Sequence, residues 1–165
     1  MYELKSLKSE ALTPAQRKAV RYRLLNEPRL AASICRDVLA VDPEHQEALI
    51  TLLLSVSDQF GAKGRTSVSD AMELVPRIKG EYEQEYYAGI VCERRAIGQL
   101  EITGPGTGQI AYDWFRRAMD HFEKAEALSS SDNDDAVLRW NTCARIINER
   151  ADIRPAEDHV ESMLE

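Results

Sequence analysis

The sequence predicts an all-α protein of antiparallel helix hairpins, and three observations lead to this expectation. Apolar residues recur every three or four positions through most of the 165 residues, which is the period of an amphipathic helix. No stretch alternates apolar and polar residues over the length of a strand. Only a short corner containing Asp42 and Pro43 separates the apolar runs at residues 30–41 and 48–54. Two helices joined by so short a corner must pack against each other.

The first two helices are expected at residues 13–26 and 28–41. Thr13 is a good N-cap, Pro14 suits the first turn, and Gln16 completes a capping box. The second helix follows Pro28 and has a wide apolar side, which should meet two neighbours. The apolar positions are Ala15, Ala19, Tyr22 and Leu24 or Leu25 in the first helix, and Leu30, Ile34, Val38, Ala31, Cys35 and Leu39 in the second.

The third helix is expected at residues 43–60, with Asp42 as its N-cap and Pro43 at its first position. Residues 48–56 are apolar nearly all round, so this helix should lie between others. Gly61 is a plausible C-terminal cap.

Four further helices are expected at residues 68–78, 81–99, 109–128 and 134–149. Ser67 or Ser69 caps the first of these, Pro76 cuts it short or kinks it, and Gly80 stops it. The glycine-rich segment TGPGTG at residues 103–108 is a clear break, and the polar segment SSSDNDD forms the last turn.

Composition limits which classes of partner and which cellular compartment are expected. The chain has 21 basic and 28 acidic residues, a net charge of −7, which disfavours nucleic acid and anionic membranes because both select a basic surface. No apolar run approaches the roughly 18–20 residues of a membrane span, and the first residues do not resemble a secretory signal. The three cysteines, Cys35, Cys92 and Cys143, are widely spaced within predicted helices, as expected for buried thiols in a reducing cytoplasm.

Residues 12–45 carry the pattern of a known helical repeat. With Pro43 as the closing proline, they form a unit of 34 residues. Ala19 takes the small position of the first helix, Tyr22 the tyrosine position, and Ala31 the alanine position of the second helix. In these features the segment resembles a unit of the tetratricopeptide repeat family. Cys35 stands where the family has an aromatic residue. Because cysteine is smaller, we expect less close packing at this position.

Two further units follow in the same register. The second begins at Gln46 and matches weakly, although Leu49 and Leu52 take the large apolar positions. The third begins near Tyr82, has Gly89 at the glycine position, and carries about 17 extra residues around the TGPGTG break. Its second helix repeats the family pattern with Ala118, Phe122 and Ala125. The resemblance implies a short right-handed α-solenoid whose seventh helix is the C-terminal capping helix. A generic antiparallel helical bundle is the alternative.

We expect no catalytic residue, no cofactor and no metal. The TGPGTGQ segment has Gln109 where a phosphate-binding loop needs lysine. None of the histidines, His45, His121 and His159, has a second histidine or a cysteine at helical spacing, so a zinc site is not expected.

The resemblance implies a concave face lined by the first helix of each unit, where family members bind a peptide or a helix. Apolar and aromatic side chains there would anchor the partner, and arginines would bind a carboxylate. The residues expected on this face are Ile50, Leu54, Tyr86, Ile90, Arg94 and Arg139. The interpretation that Ile50 and Leu54 belong to the core is equally open.

Co-chaperone members of the family hold a terminal carboxylate with lysine and asparagine on this face. At those positions this chain has Ile50 and Leu54, then Tyr86 and Ile90, and then Arg139 and Cys143. Only Arg139 has the right charge, so an adaptor for chaperone tails is disfavoured.

These observations together predict a non-enzymatic protein–protein interaction module in three parts: an N-terminal extension at 1–11, a helical domain at 12–150, and an acidic tail at 151–165 with a short helix at 156–164. The expected partner is another protein or peptide. One alternative is a homodimer that pairs through the exposed solenoid ends. A third hypothesis is a helical enzyme of unknown class.

Overall fold

The computed structural model describes residues 1–61, 64 and 66–156, and all the regular structure in that part of the chain is helical. This confirms the all-α prediction. A short 3₁₀ turn at Ser9–Ala11 precedes the first helix, and another at Val75–Arg77 follows the fourth. The α-helices are α1 (Leu12–Leu24), α2 (Pro28–Val41), α3 (Gln46–Ser57), α4 (Val68–Met72), α5 (Glu81–Leu100), α6 (Thr107–Leu128) and α7 (Asp135–Glu149).

The start of α1 differs from the prediction. The helix begins at Leu12 with Ala11 at the N-cap and no side-chain cap, so the expected capping box of Thr13 and Gln16 does not form. The Gln16 side chain is buried, and its Nε2 donates to the Glu47 carbonyl at 3.1 Å and to Thr51 Oγ1 at 2.8 Å. The amide of Gln16 is used between helices because a buried polar group needs a partner there.

The corner between α2 and α3 also differs. Asp42 does not cap α3; its Oδ1 accepts from the Glu44 backbone N–H at 3.2 Å within the turn. The N-cap is His45, whose Nδ1 accepts from the Ala48 N–H at 3.2 Å, and α3 begins at Gln46. Pro43 therefore lies in the turn and not at the first position of the helix.

The fourth helix is shorter than predicted because Pro76 cannot continue it. Ser67 caps α4 in a complete capping box with Asp70, and the 3₁₀ turn holding Pro76 follows. Gly80, with a φ of 95°, separates this turn from α5. The last three helices agree with prediction within two residues at either end.

The helices pack largely in the order of the chain. α1 packs against α2 and α3, α2 packs against α3, and α3 packs against α4 and α5. The most extensive pair is α5 with α6, and α7 packs against α6. Two core clusters result, one around α1–α4 and one around α5–α7. The partly buried residues Leu54, Met72 and Tyr87 contact both clusters.

Three of the residues expected on the apolar sides of α1 and α2 face solvent. Leu24 and Leu25 are 77% and 61% exposed, and Leu30 is 43% exposed. α1 and α2 form the first hairpin, so no earlier helix covers these residues. Their prediction as packed residues was wrong.

The three cysteines are buried free thiols, as predicted. Burial raises the pKa of Cys35 and of Cys143 to about 12 and that of Cys92 to about 11. Each thiol is therefore protonated at neutral pH, and none has the thiolate character of a reactive cysteine.

The chain beyond α7 is packed at first. Ile153 is buried in the second core cluster, and the Asp152 carbonyl lies so close to Gly108 on α6 that a Cβ at Gly108 would clash with it. The predicted helix at 156–164 lies outside the described residues except for Ala156, which is not helical.

Candidate partner-binding surface

The six predicted groove residues lie on α3, α5 and α7 and differ in how much surface they offer. Ile90 is only 2% exposed and belongs to the second core cluster, so it has little surface for a partner. Ile50 is partly buried against the first cluster, and Leu54 is partly buried against both. These apolar residues serve the core at least in part.

Tyr86 belongs to an aromatic group on α5. Its ring stacks on Tyr82 with a centroid distance of 5.7 Å, meets Tyr87 edge-on at 5.3 Å, and lies 6.0 Å from Phe122 of α6. Such arrangements stabilise ring pairs beyond the area they bury. Burial raises the pKa of the Tyr82 and Tyr87 phenols, which stay neutral. Tyr86 is half-buried and presents part of an ordered aromatic surface.

Arg139 of α7 is paired with a buried carboxylate. Its Nη1 lies 2.8 Å from Glu93 Oε2, and the Glu93 side chain is 1% exposed. Burial raises the pKa of Glu93, although Arg139 and Arg94 oppose this by favouring the charged form. Desolvation opposes the charge on Arg139, but the Glu93 carboxylate and a side-chain hydrogen bond with Tyr86 together outweigh it and raise the Arg139 pKa. A partner carboxylate would therefore compete with Glu93 for this arginine.

Arg94 takes part in a different ionic group, at the C-terminal ends of α1 and α3. Asp58 lies between two arginines, with Arg23 Nε at 2.7 Å and Arg94 Nε at 3.8 Å from its carboxylate oxygens. All three side chains are partly exposed. Arg94 is thus paired with Asp58 and Arg139 with Glu93, and Arg94 also favours the charged form of Glu93.

A cleft adjoins the Arg23–Asp58–Arg94 group. It consists of two neighbouring cavities of about 440 and 390 Å³ that share Asn26, Asp58, Phe60 and Glu101. Arg94 is the only predicted groove residue among the residues lining these two cavities. The exposed Leu24 and the partly exposed Ile97 also line the second cavity, so the cleft offers apolar surface beside charges of both signs.

Polar contacts join alternate helices in sequence. Gln16 bonds α1 to α3, Asp58 connects the ends of α1 and α3 to α5, and the Glu93–Arg139 pair joins α5 to α7. Side-chain contacts therefore join α1 to α3, α3 to α5 and α5 to α7, although the second helix of a hairpin separates each of these helices from the next in the chain.

Sequence reasoning missed Arg23, Asp58 and Glu93. The repeat register held a signal for one contact: Asp58 lies 12 residues after Gln46, and Arg94 lies 12 residues after Tyr82. Equivalent positions of successive units are neighbours in a solenoid, and opposite charges there predict an ion pair. Glu93 could have been noticed because it lies among apolar positions of α5.

Two kinds of feature are absent from the part of the chain that the structure describes. No helix there is both long enough and apolar enough to cross a bilayer. No three histidine, cysteine or acidic side chains in that part of the chain come together in a way that could hold a metal ion.

Comparison of the chain with protein-family models, with curated proteins and with solved structures found no match.

Proposed function

We propose that the chain is a short solenoid of the tetratricopeptide type that binds a peptide or helix of a partner protein, without catalysis of its own. The observation that carries the proposal is the set of contacts joining α1 to α3, α3 to α5 and α5 to α7. A solenoid of helix hairpins places the first helix of each unit side by side, and a generic bundle has no need of this order.

The binding surface of the proposed module runs along these four helices and includes the cleft at Asp58. Tyr86 and Leu24 are its apolar contacts, and Arg94 and Arg139 are its cations. Interfaces are enriched in tyrosine and arginine at the positions that contribute most binding energy. The buried free thiols fit a reducing compartment, so we propose a cytoplasmic location.

The experiment is affinity capture from an extract of the native cell with variants matched in exposure. Leu24→Asp changes a residue that lines the cleft, whereas Leu25→Asp changes a neighbour that is also exposed but does not line it. We expect Leu24→Asp and Arg94→Ala to lose the captured partner and Leu25→Asp to retain it.

Thermal unfolding of each variant shows whether its fold is intact. Partner capture that is unchanged in folded Leu24→Asp and Arg94→Ala proteins would contradict the binding surface. A turnover activity assigned to the purified chain would contradict the non-enzymatic part of the proposal.

A further inference from the structure

Charge is distributed very unevenly along the chain. Residues 1–36 contain eight basic and three acidic residues, a net charge of +5. Residues 37–165 contain thirteen basic and twenty-five acidic residues, a net charge of −12, which together give the overall −7. The first hairpin is therefore a basic end on an acidic protein.

The basic charge is concentrated on the uncovered face of α1. This helix contains four basic residues and no acidic one. Arg17 and Arg21 are exposed on the same side as two exposed apolar residues, Val20 at 42% and Leu24 at 77%, because positions 17, 20, 21 and 24 recur at helical spacing. Lys18 is also exposed. We call this the α1 face.

The connection between α6 and α7 has the opposite character. Residues 120–135 contain six acidic residues and a single basic one, Lys124. Two exposed apolar residues accompany them, Leu128 at 47% and Leu138 at 63%. Arg139 nearby is paired with Glu93, and Arg145 lies about two turns further along α7. The exposed acidic residues of this α6–α7 end are Asp120, Glu123, Glu126, Asp132, Asp134 and Asp135.

The two surfaces lie at opposite ends of the packing order. α1 packs against α2 and α3, whereas α6 packs against α5 and α7. One copy of the chain therefore does not bring its own α1 face to its own α6–α7 end. Each surface combines exposed apolar residues with charges, and the charges of one are opposite to those of the other.

We propose that the α1 face binds the α6–α7 end of a second copy, so that the chain associates head to tail. Val20 and Leu24 of one copy contact Leu128 and Leu138 of the next. Around this apolar contact, the basic side chains of the α1 face lie opposite the acidic side chains of the α6–α7 end. Such a contact uses two different surfaces and leaves one of each free at the ends of a pair. Growth therefore continues beyond a dimer unless the rotation closes a ring. This proposal does not depend on the peptide-binding function, and Leu24 is the one residue that the α1 face shares with the lining of the cleft.

The test is sedimentation velocity of the full chain over a range of concentrations at low and at high salt. Exposed charges are screened beyond about 30 Å at 0.01 M salt but beyond about 3 Å at 1 M. We expect species larger than a dimer at low salt and high concentration, and their loss at high salt. A chain that stays monomeric at low salt, or that forms only a closed dimer, contradicts the proposal.

Charge reversal identifies the surfaces. Arg17→Glu/Arg21→Glu makes both surfaces acidic. Glu126→Lys/Asp132→Lys/Asp134→Lys leaves three acidic and four basic residues at 120–135, which makes the α6–α7 end basic like the α1 face. Each variant alone should associate about tenfold or more weakly, because favourable charge pairs become repulsive. An equimolar mixture should recover assembly, because each surface then finds an opposite charge on the other variant.

The matched control is Arg36→Glu/Lys79→Glu, which changes the net charge by the same amount as the α1 variant at exposed positions away from both surfaces. We expect this control to assemble as the unmodified chain does, and circular dichroism confirms that each variant is folded. If the control loses assembly as well, or if the folded mixture fails to recover it, the assignment of the two surfaces is wrong.

Discussion

Replacing Arg139 with methionine tests whether the buried Glu93 carboxylate depends on its ion pair. Methionine keeps most of the apolar stem and removes the charge. Breaking a buried pair by removing one partner costs about 3–5 kcal/mol, because the other charge remains buried without compensation. The Arg139 side chain is 33% exposed, so we expect the lower end, about 3 kcal/mol. For a chain of this size that corresponds to a decrease in melting temperature of about 6–12 °C.

The pH dependence provides a second and sharper measure. Without Arg139, burial raises the pKa of Glu93 further above its ordinary value, because the stronger of the two opposing cations, Arg139 and Arg94, is gone. Between the ordinary and the raised pKa the folded state holds a proton that the unfolded state has released. Stability therefore falls as pH rises through this window, and the loss caused by Arg139→Met should be smaller at acidic than at neutral pH.

The assay is chemical denaturation of three variants across this pH range. Arg145→Met is the matched control, since Arg145 is an exposed arginine on the same helix. Glu93→Met/Arg139→Met removes both charges and should recover most of the lost stability. A loss below about 1 kcal/mol, or a loss that does not vary with pH, would show that Glu93 is not an uncompensated buried charge once Arg139 is removed.

Three further predictions follow from the packing. Gln16→Ala should cost about 1–3 kcal/mol of unfolding free energy because it removes buried hydrogen bonds. Thr13→Ala should cost far less than the usual loss of an N-cap, because Thr13 does not cap α1. An equal loss in both variants would indicate that the predicted capping box forms after all. Gly89→Ala should destabilise by about 1–3 kcal/mol because its Cβ would clash with the Phe122 ring, and a melting curve that stays unchanged would contradict the close approach of α5 and α6. The three thiols should resist a disulfide reagent at pH 8 in the folded protein and react rapidly in denaturant; rapid modification of the folded protein would contradict their burial.

The long helices were predictable because their signal is local. In α2, α5, α6 and α7, apolar residues repeat at the helical period over enough turns to outweigh any single residue. The helix starts were less predictable, because a capping residue competes with other uses of its neighbours. The Gln16 side chain hydrogen-bonds to Thr51 of α3 instead of capping the N-terminus of α1. At the corner between α2 and α3 the N-cap is His45, three residues after Asp42.

The candidate surface was less predictable than the helices because its contacts join distant parts of the chain. Arg23 and Asp58 are 35 residues apart, and Glu93 and Arg139 are 46 residues apart. No local pattern shows that a charged residue will find a partner at that distance. Periodicity placed Ile90 among the packed positions of α5, whereas the repeat register placed it on the concave face; the residue is buried in the second core cluster.

The seam between the two core clusters has a consequence for how the protein opens. Leu54, Met72 and Tyr87 are the partly buried side chains shared across it, while α5 and α6 form the most extensive helix pair. Native proteins open in cooperative units whose free energies follow the amount of packing that each unit must lose. We therefore expect the amide protons of α1 and α2 to exchange with solvent through a lower-energy opening than those of α5 and α6. The first cluster, formed around α1 to α4, can then open while the last three helices remain folded.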